Sequence, residues 1–146
     1  MENKVVIITD LRSTEARDAQ EYLAQIGYEV VAVPETVRLY DEEALSAFAE
    51  PYRDRLCGVI HPAPARILGG IDDVTEEDWA RARDEGPIAA LIVTKVFCGI
   101  FRDKKEGSLI YLNSIHAEKP VGKGFLFSMG CGAVQMLARE ANLDYG

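Results

Sequence analysis

Four residues carry most of the chemistry this chain could do. Ser114 and His116 lie two positions apart in NSIHAEKP (Asn113 to Pro120), Cys131 lies in FSMGCGAV (Phe127 to Val134), and His61 opens an HPAP loop. A hydroxyl or thiol beside an imidazole is the material of nucleophilic catalysis, with the ring taking the proton. Ser114 and His116 share one loop and are not expected to combine as nucleophile and base. His61 has no partner identifiable along the chain and reads as a loop residue with a local hydrogen bond. Cys57, Cys98 and Cys131 are odd in number and form no CxxC or Cys/His cluster. Reduced structural thiols are therefore expected, with neither a disulfide framework nor a metal site.

These residues hang on alternating strands and helices. KVVIIT (Lys4 to Thr9) is a β-branched run with the look of a strand buried on both faces, and Ser13 to Ile26 repeats apolar residues at helical spacing. Gly27 ends that helix, and YEVVAV (Tyr28 to Val33) is a second strand cut by Pro34. A helix over Asp41 to Arg55 leads to a third strand, LCGVI (Leu56 to Ile60). Thr75 and Asp78 have capping-box spacing and open a short helix containing Trp79. An apolar helix over Ile88 to Phe101, a fourth strand over Ser108 to Leu112 and a last helix over Phe125 to Leu143 complete the chain. The alternation predicts an α/β fold, a doubly wound parallel sheet between two helical layers in the Rossmann manner. One domain spanning residues 1–146 is expected, without repeats or a low-complexity linker.

Composition limits the partners. The net charge is −8 and the pI is near 4.8, which argues against nucleic acid or an anionic membrane as the main partner. No apolar run approaches a bilayer span, and the strand pattern begins at once, so a cytoplasmic protein without a signal peptide is expected.

Several segments together resemble the short-chain dehydrogenase/reductase family. GSLIYLNSIHAEKP (Gly107 to Pro120) is similar to the family's GSIVNISSVAG, DDVTEEDWARARDEGPIAALIVTKVF (Asp72 to Phe97) to the stretch entering its central helix, and FSMGCGAV to its YSASKAAV. The resemblance implies a catalytic tetrad of which Ser114 alone survives. The asparagine, tyrosine and lysine positions hold Gly86, Phe127 and Cys131. A phenyl ring has no proton to exchange and a thiol is no fixed cation, so general acid–base catalysis is lost. The family's TGxxxGxG keeps Thr9, but its glycine positions hold Asp10, Thr14 and Ala16. Asp10 puts a carboxylate where a cofactor pyrophosphate would sit, and HPAP replaces the family's NNAG with two prolines. No cofactor and no catalytic residue are therefore expected. Typical members continue beyond the helix that would carry the tyrosine, so the chain reads as abbreviated at its C-terminus.

What remains is the assembly apparatus. In the family, the helices matching Ile88 to Phe101 and Phe125 to Leu143 pair across a two-fold axis. Both are apolar over more than one stripe here, and a helix of that kind is buried on two sides. Val93, Phe97, Phe101, Met129, Ala133, Met136 and Leu137 are the expected contacts. The resemblance implies a non-catalytic subunit, self-associating and joined to an active short-chain dehydrogenase in a heterotetramer, as in mixed bacterial assemblies that oxidise hydroxyacyl-CoA esters. The competing class is an enzyme or nucleotide- or CoA-binding protein with altered chemistry around Ser114. A phosphoacceptor receiver domain is disfavoured, because the third strand ends in His61 and not in an aspartate.

Overall fold

The computed structural model describes residues 3–146. Its sheet is parallel throughout, in the order β2-β1-β3-β4, with β1 Val5–Ile8, β2 Glu29–Ala32, β3 Leu56–His61 and β4 Ser108–Tyr111. β1 is inner, and all four of its residues are buried, as its unbroken apolar run requires. The register against β3 slips between Val5 and Val6, pairing them with Leu56 and Gly58 and leaving Cys57 as the extra residue.

Alternate residues of β1 feed two cores. Val6 and Ile8 pack with Ile60 and with Ala16 of α1 (Thr14–Gln25). Val5 and Ile7 face Leu45 and Ala49 of α2 (Glu42–Ala49) together with Val93, Phe97, Ile100 and Phe101 of α4 (Ala89–Lys104). This corrects one expectation: Val93, Phe97 and Phe101 are core of the chain itself, because their face of α4 is the one laid on the sheet. α5 (Phe125–Tyr145) packs beside α4.

Local signals explain the element ends. Thr75 and Asp78 form the expected reciprocal capping box at the start of α3 (Glu76–Arg83). Ser13 caps α1, which ends at Gly27 with φ +101°. A single π turn, Asp84–Ile88, joins α3 to α4 and accommodates Pro87 inside the helical path. Gly107, at φ +134°, lets the chain turn from α4 into β4 against Phe101, whose ring a Cβ would approach to 2.1 Å.

The order is the 2-1-4-5 part of the doubly wound sheet. Among the described residues no strand lies outside β2, and the segment 33–41 runs directly into α2. Among the described residues no helix is long and apolar enough to cross a membrane, and no His/Cys/Asp/Glu group could hold a metal ion.

Candidate functional site

Loops leave the carboxyl ends of all four strands, where ligands bind in open α/β sheets. Under them lies a polar row that follows from the sheet register. Thr9, His61 and Tyr111 each sit at the end of an apolar strand, and the parallel pairing sets His61 beside Tyr111. Thr9 Oγ1 and His61 Nδ1 share a 2.7 Å hydrogen bond. The Tyr111 ring lies edge-on to the imidazole, 6.3 Å between centroids. Its hydroxyl is 2.5 Å from Thr94 Oγ1, which itself donates to the Ala90 carbonyl at 2.7 Å, so Tyr111 is the donor to Thr94. Burial holds His61 down to about 4, against a small opposing pull from Asp10, and the ring is neutral near pH 7. Burial also pushes the Tyr111 phenol up. His61 is therefore not the loop residue with a local hydrogen bond that the sequence suggests. It is the last residue of β3, and the usable signal was a polar residue closing each of three apolar strands.

The loop between β1 and α1 is filled by its own charges. Asp10 Oδ1 accepts from the Arg12 backbone N–H at 2.7 Å, while Oδ2 receives Arg12 Nε at 2.6 Å and lies 2.5 Å from Nη2. Arg12 Nη1 is 3.8 Å from Glu85. Arg17 Nη1 donates to the Leu11 and Arg12 carbonyls at 2.9 and 2.7 Å. Ser13 Oγ accepts from the Ala16 N–H at 3.1 Å, closing the N-terminus of α1. The hydrogen bond to Asp10 is the main reason the Arg12 guanidinium is held above its ordinary range. Thr14 is exposed and Ala16 is fully buried. A pyrophosphate needs free amides and an uncharged loop there, so these residues do not fit one. The loop forms one wall of a cleft of about 600 Å³ at the ends of β1 and β2: Asp10, Leu11, Arg12 and Glu85 line it on that side, and Val33, Val37, Leu39 and Tyr40 with Glu35 and Arg38 line it on the other.

The second group of sequence-derived positions does converge. Phe127 and Cys131, one turn apart on α5, are both buried. The Arg66 guanidinium lies 5.3 Å above the Phe127 ring, and His116 meets that ring edge-on at 5.9 Å. Burial pushes the Cys131 thiol up, opposed by a backbone hydrogen bond from Ser114 and by the Arg66 charge. Gly86, in the π turn, and Gly130 both rest on Pro64, whose ring carbons lie 3.7 and 3.4 Å from where their Cβ atoms would be. Ser114 Oγ caps a 3-10 turn by accepting from the His116 N–H at 3.3 Å, and His116 Nδ1 contacts the Lys119 carbonyl at 3.1 Å. Ser114 and His116 are thus each engaged locally, and their side chains form no hydrogen bond with one another.

On the outer side of α5, Met129 and Met136 are each 53% exposed and Leu143 is 78% exposed, at a seven-residue spacing that stacks them on one face. Ala133 and Leu137 beside them are half-buried. Leu91, 48% exposed, lies on α4.

No family model and no curated relative matches the chain. Solved structures do. ElxO with NADP bound superposes with a TM-score of 0.90 at 14% identity over 99% of this chain and 68% of its own. A Burkholderia cenocepacia gluconate 5-dehydrogenase in complex with NADP and tartrate gives 0.87 at 13% identity, covering 99% and 67%. A Serratia marcescens short-chain dehydrogenase/reductase variant gives 0.84 at 18% identity, covering 99% and 72%. The chain therefore has the fold of the short-chain dehydrogenase/reductase structures, and at these identities the likeness extends to the fold alone.

Proposed function

We propose that this chain is a degenerate short-chain dehydrogenase/reductase: a non-catalytic subunit that assembles with an active, NAD-dependent member of the family and stabilises it. The observation that carries the reading is the corner around Phe127. Phe127 and Cys131 stand where a proton-exchanging tyrosine and a lysine would be needed, and Arg66 and His116 close over the ring. Ser114, the remaining member, uses its hydroxyl as a turn cap. The β1–α1 loop, neutralised by its own ion pairs, supports the same reading, since hydride transfer needs a bound acceptor that no side chain replaces.

The exposed methionines on α5 favour an assembly role. Their stripe, with Leu91 of α4, is the surface on which we place the partner, and it replaces the buried Val93, Phe97 and Phe101 in that role. In kind the chain is similar to the degenerate subunit of 2-(α-hydroxybenzyl)succinyl-CoA dehydrogenase in anaerobic toluene breakdown. A heterotetramer with an active hydroxyacyl-CoA dehydrogenase in the bacterial cytoplasm is the corresponding arrangement.

Native mass spectrometry of the protein purified from its own cells, followed by NAD titration, tests this. A mixed oligomer binding NAD only on its companion subunits is the expected result. A self-assembled species that turns over NAD would overturn it.

A further inference from the structure

We infer that β2 is a self-association edge, on which a second copy of this chain adds its own β2 antiparallel across a two-fold axis. β2 is an outer strand through an internal feature of the chain: residues 33–41 lead straight into α2 and add no strand beyond it. The parallel register decides which backbone groups are left over. Glu29 and Val33 donate their N–H groups inward, to the Lys4 and Ile8 carbonyls. By the alternation of a strand, Val30 and Ala32 therefore turn their N–H and C=O groups away from β1. Among the described residues no protein group bonds them, and Val30, Val31 and Ala32 are half-buried where all of β1 is buried.

Open edges of native sheets are commonly guarded by lysine, proline or a bulge. Glu29–Ala32 has none of these, and its one charge is drawn aside, with Glu29 Oε2 2.5 Å from Arg55 Nη1 just before β3. The strand is complementary to itself. A two-fold axis at Val31 sets Val30 of one copy opposite Ala32 of the other. Each then exchanges its N–H and C=O with its counterpart, and Val31 meets Val31 as a non-hydrogen-bonded pair. Glu29 meets Val33 in this register, so no like charges are opposed. The ladder also ends by itself: the Leu23 carbonyl takes the Tyr28 N–H at 3.1 Å, and Pro34 has no N–H. Symmetry closes the contact, and a strand of 4 residues falls short of a standard interface, so the dimer of the isolated chain is concentration-dependent.

The inference rests on the proposed function in one respect, that the α5 stripe is left to the companion subunit while β2 joins the two copies of this chain. Sedimentation velocity of the whole chain alone, over a concentration series, reads the pairing directly, and a concentration-dependent dimer is expected. Ala32→Pro removes an outward donor and no bond to β1, and should weaken dimerisation at least about tenfold. Val31→Cys should give a covalent dimer on oxidation, because the Cα atoms facing each other across the axis are about 4.5 Å apart, within disulfide range. Glu29→Cys faces Val33 of the second copy and should give at least about tenfold less, with the unaltered chain and its three free cysteines as the control. Met136→Asp, on the α5 stripe, should leave this dimer intact. Where circular dichroism finds Ala32→Pro unfolded, the cross-link decides. A monomer at every concentration, a dimer that survives in folded Ala32→Pro or is lost in Met136→Asp, or equal cross-linking at positions 29 and 31 overturns the inference and leaves the non-catalytic reading intact. NAD turnover by the chain would break the non-catalytic reading instead, whatever β2 does.

Discussion

The β1–α1 loop and the corner around Cys131 both differ from the residues that the family resemblance would place there, but by opposite physical routes. The loop is filled with charge in the open: the Arg12 side chain is 57% exposed and its ion pairs are solvent-screened. The corner is filled with buried, mostly apolar atoms, and Cys131 has no exposed surface at all. Exposed ion pairs contribute little to stability, so the loop could drift with small consequences for the fold. The corner is knitted into α5, Pro64 and the π turn, so its residues are constrained by packing whatever the function. Removing a charge costs little in the first region, and adding one costs a great deal in the second.

The largest expected effect tests the second region. Phe127→Tyr with Cys131→Lys rebuilds the two missing groups by name. Yet it puts an ammonium at a site without solvent, near the Arg66 charge that already acts on the thiol there. An uncompensated buried charge costs about 3–5 kcal/mol, and the lysine would shed its proton or open the corner. Urea denaturation should show that loss, and no NADP-dependent oxidation should appear, because Asp10 is unchanged. A stable double variant with turnover would erase the contrast between the regions.

His61 lies between them, bonded to Thr9 on the loop side and edge-on to Tyr111 on the other. Its folded value of about 4 lies below the ordinary 6.5. Between those values the unfolded chain binds the proton and the native chain does not, so stability falls as pH drops from about 6.5 to about 4 and changes no further from this source below that. The full loss is roughly 3 kcal/mol. Asp10 is the charged group that acts on the ring, and Tyr111 stays neutral throughout that range. His61→Gln can keep the bond to Thr9 and does not titrate. Its urea midpoint should shift less between pH 7 and pH 4.5 than that of the unaltered chain, and identical shifts would mean that the ring is not protected.

How much of this was readable from the residues differs by element. β1 was legible because VVII has no polar residue to place on a wet face, and α3 because Thr75 and Asp78 specify its start. The π turn was not, since Pro87 lacks a backbone donor and the turn that accommodates it leaves no periodic signal. The apolar helix α4 could not reveal which stripe meets the sheet. An all-round apolar pattern has no direction, so Val93 and Phe97 read as contacts for a partner when the core of the chain itself claims them. The convergence of Ser114, Phe127 and Cys131 was legible through the family pattern. Arg66 over the ring was not, because a cation–π contact leaves no spacing signal.

The exposed face of α5 gives a smaller test. Met136→Asp adds a charge where the side chain is half in solvent, so the isolated chain should lose no more than about 0.5 kcal/mol. Assembly with a partner on that face should fail, and native mass spectrometry of the variant would show the chain alone. Retention of the mixed oligomer would place the partner elsewhere.

The smallest expected effect belongs to the loop and decides whether it is as inexpensive to alter as its exposure suggests. Arg12→Ala, Asp10→Asn and the double variant form a thermodynamic cycle around the 2.5 Å pair. The coupling should be about 0.2–1 kcal/mol at moderate salt and should shrink as salt rises, since the guanidinium is more than half exposed. Arg17 still ties the Leu11 and Arg12 carbonyls together in each variant, so the loop keeps its path while the pair is removed. A coupling above about 2 kcal/mol that is insensitive to salt would mean that the charges are held as firmly as the corner. The loop would then be held by stability as firmly as the corner, and the contrast between the two regions would vanish.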